Sequence, residues 1–477
     1  MTINIGIDLS IKAQSQAQIR NEKGEKLGAD YSFDISKESL NNLYAQAKQY
    51  AGAEGKVRFV IEATGMSWFV VAVYGKTHDC EVVRVKAHKV KDLRKFYSRH
   101  RKDDKLDAKT LAMMPLVDPD GIHEVYLAPA LNFALTRRTR QREHLVDLLI
   151  AQKNRIQALL DWALPGITGC FCNPLGKLAR MFYRYYVNPF EVQKMTPDEL
   201  AQSLSTISGE KIDSATVQTI YDCARQACAL YESSGYYIDF EEIVQELLRE
   251  IELLESYEEE LEEVALEIKR LYDKLLPEKH IESLPGVGER LGPALYGLIS
   301  DAGRFRREKQ CRAFIGFVPR QESSGTTDKK GLIMSQAGPA SGRRDFYLAA
   351  DIARQWDPQL AKVYYNEMVY KGHCHTQAVC AVAVRMISRV LRILKDNRTY
   401  ELRDVDGRPI TKQEAKAIIK ERYTVPVEVR QRLRNRQRRE RDSNSLRDCL
   451  EKNIPDLNRS QNNSIHKKPM CQGSSKL

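Results

Sequence analysis

Long apolar runs are missing from this 477-residue chain. The longest mainly apolar stretch, Met66 to Tyr74, falls far short of the ~20 residues a membrane helix needs. The opening MTINIGIDLS carries no basic, apolar, cleavable leader, so a cytoplasmic protein with no membrane association is expected. Cysteine is sparse: ten residues, none in a C-x-x-C pair, which excludes a disulfide scaffold and a zinc ribbon. Cys170-x-Cys172 stands alone, and His373-Cys374-His375 with Cys380 lacks the ligand geometry of a tetrahedral site, so both read as structural. A G-x-x-x-x-G-K-[ST] loop is also lacking, which excludes that route to nucleotide hydrolysis. Neither is apolar content low: 42% hydrophobic and 29% charged residues exclude a disordered chain, and the length implies two or three domains of ~100–200 residues each.

The net charge of +11 is a mild pointer to a polyanionic partner, and its distribution is more informative. From Asp239 to Asp273, fourteen acids face only Arg249, Lys269 and Arg270, a local charge of −11 that leaves +22 on the rest. Through this segment runs a heptad seam, Phe240, Ile243, Leu247, Glu250, Leu254, Tyr257, Leu261, Val264, Ile268, Leu271 and Leu275, with Glu250 its one polar member. Such a seam predicts a coiled coil that holds helices or protomers together. Positive charge gathers from Arg84 to Lys105, with ten Lys or Arg against three Asp, and from Arg430 to Arg441, with seven Arg in twelve residues.

The first hundred residues alternate strand and helix signals. Ile3 to Ile7 predicts a strand ending at Asp8; Ala17 to Arg20 and Lys26 to Phe33 predict two more around an Asn21–Gly24 turn; Val57 to Ile61 runs into Glu62; Val82 to Val85 follows. Lys37 to Tyr50 and Trp68 to Tyr74 predict helices, and a further helix carries Asp104 and Asp107 on one face. In a ribonuclease-H-like α/β fold, the ends of the first strand and its parallel neighbour meet a final helix, bringing Asp8, Glu62, Asp104 and Asp107 together. Clustered carboxylates require a cation, and an oxygen-only donor set favours Mg²⁺ or Mn²⁺. The competing reading is ordinary strand-end acids and a common D-x-x-D helix pair.

Leu131 to Trp162 predicts a long amphipathic helix, followed by a helical insert in which Thr196 and Glu199 form a capping box. Ile281 to Leu295 has the h-x-x-h-P-G-h-G pattern of a helix-hairpin-helix, whose Gly286 and Gly288 permit a tight turn directing backbone N–H groups at a phosphate; a packing turn is the alternative. Farther on, Ser324-Gly325 lies among Arg320, Lys329, Lys330, Arg343 and Arg344, a loop able to offer a hydroxyl to a phosphodiester or simply to turn the chain.

Together, Ile5-Gly-Ile-Asp8-Leu-Ser10, Ile61-Glu62-Ala-Thr-Gly65, Lys102-Asp-Asp104-Lys-Leu-Asp107-Ala108, Leu284-Pro-Gly-Val-Gly288, Ala313-Phe-Ile-Gly-Phe-Val-Pro319, Ser324-Gly325 and Val379 to Leu391 resemble the DEDD-type insertion-sequence transposases of the IS110 class, also called bridge-RNA-guided serine recombinases. The resemblance covers about residues 1 to 395. It implies a RuvC-like DEDD nuclease domain over 1–125, coiled-coil helices over 126–172 and 236–277 around a helical insert at 173–235, and a mainly α-helical transposase domain over 278–400. A basic, disordered tail over 401–477 is expected beyond it.

The resemblance further implies that Asp8, Glu62, Asp104 and Asp107 bind Mg²⁺, with Asp103 the weaker ligand candidate. It implies that Ser324, with Ser323 in competition, attacks DNA to form a covalent phosphoserine. Gly286, Gly288, Lys102, Arg320, Arg343 and Arg344 are then the expected nucleic-acid contacts. The implied partners are double-stranded DNA at element ends and target, a non-coding bridge RNA, and further copies of the chain through the coiled coil. This chain departs from the family at Ser335-Gln336-Ala-Gly338-Pro339 and around Gly342-Arg343-Arg344. Two other functions compete: a metal-dependent junction endonuclease that cuts without rejoining, and a non-catalytic nucleic-acid-binding protein.

Overall fold

The computed structural model describes residues 1–63, 65–98, 103–209, 211–232, 237–320, 334–335 and 337–439, together with the backbone of 323–324 and 327–328. Two compact units result, Met1–Pro129 and Ala130–Leu477.

In the first unit, alternation of apolar and other residues builds a five-stranded mixed sheet. Its strands are β1 (Thr2–Asp8), β2 (Ser15–Arg20), β3 (Tyr31–Phe33), β4 (Lys56–Glu62) and β5 (Glu81–Val85), in the order β3-β2-β1-β4-β5. β1 pairs antiparallel with β2 and parallel with β4, and β4 pairs parallel with β5. The predicted third strand is shortened to Tyr31–Phe33: Lys26 makes only an isolated bridge with Arg20, and Gly28, at φ +74, breaks the extended run. The helices are α1 (Lys37–Ala51), α2 (Ser67–Thr77), α3 (Ala87–Tyr97) and α4 (Asp104–Val117). Ile3, Ile5, Ile7, Phe59 and Ile61 bury one sheet face with α1 and α2, whereas Val60, Val83 and Val85 bury the other with Val90, Leu111 and Met114 of α3 and α4. The unit continues to Pro129 because the Val125 N–H donates to the Val82 carbonyl at 2.7 Å and Leu127 packs on the core.

The second unit is mainly helical. α5 (Ala130–Ala163) precedes the insert helices α6 (Lys177–Tyr186), α7 (Pro189–Gln193), α8 (Pro197–Ser208) and α9 (Ser214–Tyr231), and α10 (Phe240–Leu275) follows. The capping box is formed: Thr196 Oγ1 accepts from the Glu199 N–H while the Glu199 carboxylate accepts from the Thr196 N–H. The heptad seam of α10 buries Leu247, Glu250, Leu254, Val264, Ile268 and Leu271, and its main partner is α5 of the same chain. The pair is antiparallel, since Arg138 meets Glu267 while Arg155 meets Glu246. Part of the acidity of α10 is likewise answered inside the chain, by Arg138 and Arg155 of α5 and by Arg180 and Arg184 of α6. The buried Glu250 accepts from Gln152, and Arg155 Nε lies 2.5 Å from its carboxylate.

Beyond α10 come α11 (Gly292–Ile299), α12 (Glu308–Ile315), the short strands β6 (Ser323–Ser324) and β7 (Thr327–Asp328), α13 (Ala340–Ala353), α14 (Pro358–Tyr365), α15 (His375–Asp396) and α16 (Lys412–Arg422). A last helix, α17, spans 427–439. The expectation of a disordered tail from residue 401 is therefore corrected as far as 439. Thr411 and Glu414 cap α16 reciprocally, and Val425 and Leu433 are buried in the same core as α13 and α15, enough apolar anchoring to order the segment. The remaining tail, 440–477, lies outside the described residues.

Candidate active site

Side-chain alternation decides which way the strand-end acids face. Ile3, Ile5 and Ile7 point into the α1 and α2 core, so Asn4, Gly6 and Asp8 take the opposite face. Glu62 shares that face with Val60, and the parallel register Ile7↔Ile61 sets the Asp8 and Glu62 strand ends side by side. α4 crosses the same face in direct contact with β1: a Cβ built on Gly6 would lie 2.2 Å from both the Ala108 carbonyl oxygen and the Ala112 nitrogen. Its direction follows from its other end, because Met113 and Leu116 approach Gly24, next to the β2 end that pairs with the start of β1. The first turn of α4, with Asp104 and Asp107, therefore points toward the Asp8 end of β1.

Within that turn the carboxylates differ. Asp103 is the N-cap, its Oδ1 accepting from the Leu106 N–H at 2.7 Å. Asp104 is exposed, Asp8 and Glu62 are half-buried, and Asp107 is buried. Arg94 of α3 donates from Nη1 to both oxygens of Asp107, at 3.0 and 2.9 Å. Among the described residues no three His, Cys, Asp or Glu stand close enough to form a ready metal cluster. Asp8 and Glu62 share one face of the sheet, and the first turn of α4, carrying Asp104 and Asp107, lies toward the same end, with a guanidinium on Asp107.

In the second unit, two close chain approaches shape the serine loop. Gly316, at φ +91, ends α12, and a Cβ there would lie 2.9 Å from the Gly338 nitrogen. A Cβ on Gly338 would in turn lie 2.3 Å from the Ile315 carbonyl carbon. This crossing, with the Ser335 N–H donating to the Val318 carbonyl at 2.8 Å, brings the two ends of the loop together. Between them β6 and β7 pair antiparallel, with Ser324 opposite Thr327. Only the backbone of Ser323 and Ser324 is described; Lys102, Gly325, Lys329, Lys330 and Gln336 lie outside the described residues.

Residues 5–165 match the family described as Transposase, of the DEDD IS110 type, and residues 278–366 match the family described as Transposase IS116/IS110/IS902. The chain belongs to the IS110 class of transposases. It is 30% identical over 127 residues to the insertion element IS110 uncharacterized 43.6 kDa protein of Streptomyces coelicolor, covering 26% of this chain and 30% of that one. It is 39% identical over 95 residues to the transposase for insertion sequence element IS1111A of Coxiella burnetii, 19% of this chain and 24% of that one. A longer match, 22% identical over 345 residues, covers 72% of this chain and 84% of the insertion element IS116 uncharacterized 44.8 kDa protein of Streptomyces clavuligerus. The chain therefore spans less than a third of the first two relatives it matches.

The expected nucleic-acid contacts of this IS110-class chain have unequal surroundings. Arg320 is exposed. Arg343 donates from Nη1 to the Gly338 carbonyl at 2.5 Å and so braces the chain crossing. Arg344 is paired within its unit, 3.1 Å from Glu143 and 3.6 Å from Asp147 of α5. Gly286, at φ +84, is pressed against α13, where a Cβ would meet the Ala349 carbonyl at 2.2 Å, so its packing role is direct; Gly288 faces open space. The first element of the expected helix-hairpin-helix is only a 3₁₀ turn, His280–Ser283. Sequence reading missed Arg94 as a partner of Asp107 and Glu143 as a partner of Arg344. Neither spacing nor composition links residues on separate elements, so no local signal marked them.

Proposed function

We propose that the chain is a DNA transposase that cleaves and rejoins DNA at insertion-sequence ends and target. The observation that carries this reading is the shared face of Asp8, Glu62 and the first turn of α4, in a sheet whose first strand lies beside a parallel neighbour, the pairing a ribonuclease-H-like, RuvC-like nuclease calls for. The four acids suit a divalent cation such as Mg²⁺ or Mn²⁺, with all-oxygen donors, once Arg94 releases Asp107. When bound, the cation polarises the phosphodiester and offsets charge on its oxygens. Arg94 orients Asp107 in the meantime.

Ser324 is the proposed nucleophile. Its Oγ attacks phosphorus, its proton leaves to solvent or a base, the P–O bond to the departing sugar breaks, and that sugar hydroxyl takes up a proton. The resulting phosphoserine retains the diester's energy, so a new sugar hydroxyl can displace the serine without ATP. Target choice by a bridge RNA, double-stranded DNA as substrate and assembly with further copies complete the reading. The exposed Ile150 and Leu266 on α5 and α10 support assembly.

Incubation of the full chain with labelled element-end DNA and Mg²⁺, followed by a denaturing gel, tests the reading. Protein-linked DNA that disappears in Asp8→Ala and Ser324→Ala is expected. Cleavage with no protein adduct, unaffected by Ser324→Ala, would make it a junction endonuclease. Binding without cleavage, unchanged in Glu62→Ala, would make it a non-catalytic nucleic-acid-binding protein.

A further inference from the structure

Residues 401–439 lie beyond both family matches and build a cationic cleft with α14 and α15. Val425 and Leu433 are buried, with Val429 packed beside them, and this anchors α17 on the core. Anchoring fixes its neighbouring face: Arg430 and Arg434, one turn apart, line a cavity of about 190 Å³ together with Arg354, Tyr364 and His375. Arg436 and Lys371 line an adjoining opening of about 350 Å³, which shares Cys374 and Gln437 with the first. Arg436 Nη2 donates to the Gly372 carbonyl at 2.8 Å, holding α17 to the loop before α15. A π-helical turn, Asn366–Tyr370, leads into that loop, an uncommon geometry that recurs at functional sites.

Among the described residues, the charge in this cleft is only partly balanced. Asp351 pairs with Arg354 at 2.7 Å, and Glu367 pairs with Lys371 and with His373, each at 2.6 Å. Among the described residues no carboxylate pairs with Arg430 or Arg434. Burial holds the His375 imidazole below its usual range; Asp351 opposes this, while Arg354, Arg430 and Arg434 add to it. His375 Nδ1 lies 2.8 Å from the Tyr364 hydroxyl. Outside the cleft, Arg432, Arg438 and Arg439 continue the positive charge along exposed α17. Guanidinium forks match phosphate oxygens, and a line of cations suits a linear polyanion better than a compact one.

We propose that this cleft binds a nucleic-acid backbone phosphodiester through Arg430 and Arg434, flanked by Lys371 and Arg436. The inference rests on the reading that the chain acts on nucleic acid, and it assigns the contact to a segment outside the family-matched regions.

The test is fluorescence anisotropy of the full chain with a labelled DNA duplex and a labelled single-stranded RNA over a salt series. Arg430→Gln/Arg434→Gln is compared with Lys177→Gln/Lys211→Gln, which removes equal charge from exposed positions of the insert. Binding about ten-fold weaker in the arginine variant alone, with the log–log salt slope reduced by about two for DNA or somewhat less for RNA, is expected. Loss with DNA only, RNA only or both identifies which backbone the cleft holds. Equal affinity in the two variants overturns the site while leaving the transposase reading intact, whereas a wild-type chain that binds neither probe overturns both. If the glutamine variant fails to fold, ultraviolet cross-linking of the wild type decides: attachment to the 427–439 peptide supports the site, and attachment only elsewhere refutes it.

Discussion

Gly6 is where the seating of α4, and with it the geometry of the proposed metal site, can be broken by one methyl group. In Gly6→Ala the new Cβ would lie 2.2 Å from two backbone atoms and 2.9 Å from a third, the Ala112 Cα. No side chain can rotate away, so β1 and α4 must part by about 1 Å to restore van der Waals contact. Overpacking of this kind costs about 1–3 kcal/mol, and the purely backbone clash puts Gly6→Ala at the upper end. A displacement of about 1 Å in a group that positions substrate lowers a rate about 100-fold. Gly169→Ala is the control, since a Cβ there meets nothing within 4 Å; its expected effect is within about 0.5 kcal/mol. Amide exchange of peptides spanning β1 and α4, followed by mass spectrometry, reads the first unit without interference from the second, and Mg²⁺-dependent cleavage reads the chemistry. Faster exchange with a large loss of cleavage is expected. If Gly6→Ala exchanges and cleaves like wild type, α4 is not seated against β1 and the convergence of the four acids fails.

Arg94→Gln leaves the Asp107 carboxylate, 11% exposed, without its bidentate partner; in chelator, a loss of about 2–4 kcal/mol is expected by urea unfolding, narrowing in millimolar Mg²⁺. An equal loss with and without Mg²⁺ would count against a cation at Asp107. In the α5–α10 seam, Gln152→Leu alone strips the buried Glu250 of a donor and should cost about 1–3 kcal/mol, whereas Gln152→Leu/Glu250→Leu should recover most of it in the same assay. Asp345, 7% exposed, has its carboxyl pushed up to about 7 by burial, with nearby Glu143 adding to the effect and Arg344 and Arg142 opposing it. A raised folded-state value means the folded chain binds the extra proton, so this stability is present below the unfolded value and lost as pH rises through about 7. Asp345→Asn should therefore gain on wild type by about 2 kcal/mol between about pH 5 and pH 8 in thermal or urea unfolding, and a pH-independent difference would refute the assignment.

Local periodicity made much of the fold legible. Apolar alternation gave β1, β4 and β5 nearly to the residue, and the same alternation fixed the face on which Asp8 and Glu62 lie. Capping chemistry marked the start of α8. The shortened β3 was missed because one positive-φ glycine, Gly28, interrupts a run whose composition still looks extended. The order of residues 401–439 was missed because an arginine-rich composition hid two anchors, Val425 and Leu433, whose burial depends on a core assembled elsewhere in the chain.

By itself, the sequence determined how each element is patterned and marked the candidate residues, because strand and helix periods are local properties of the backbone. Only the tertiary structure decided partnership. It seated the α10 seam on α5, gave Asp107 to Arg94 and Arg344 to Glu143, and left Arg430 and Arg434 lining a cavity that holds no carboxylate among the described residues. Ion pairing and burial depend on distance in space, and a one-dimensional spacing carries none of it between separate elements.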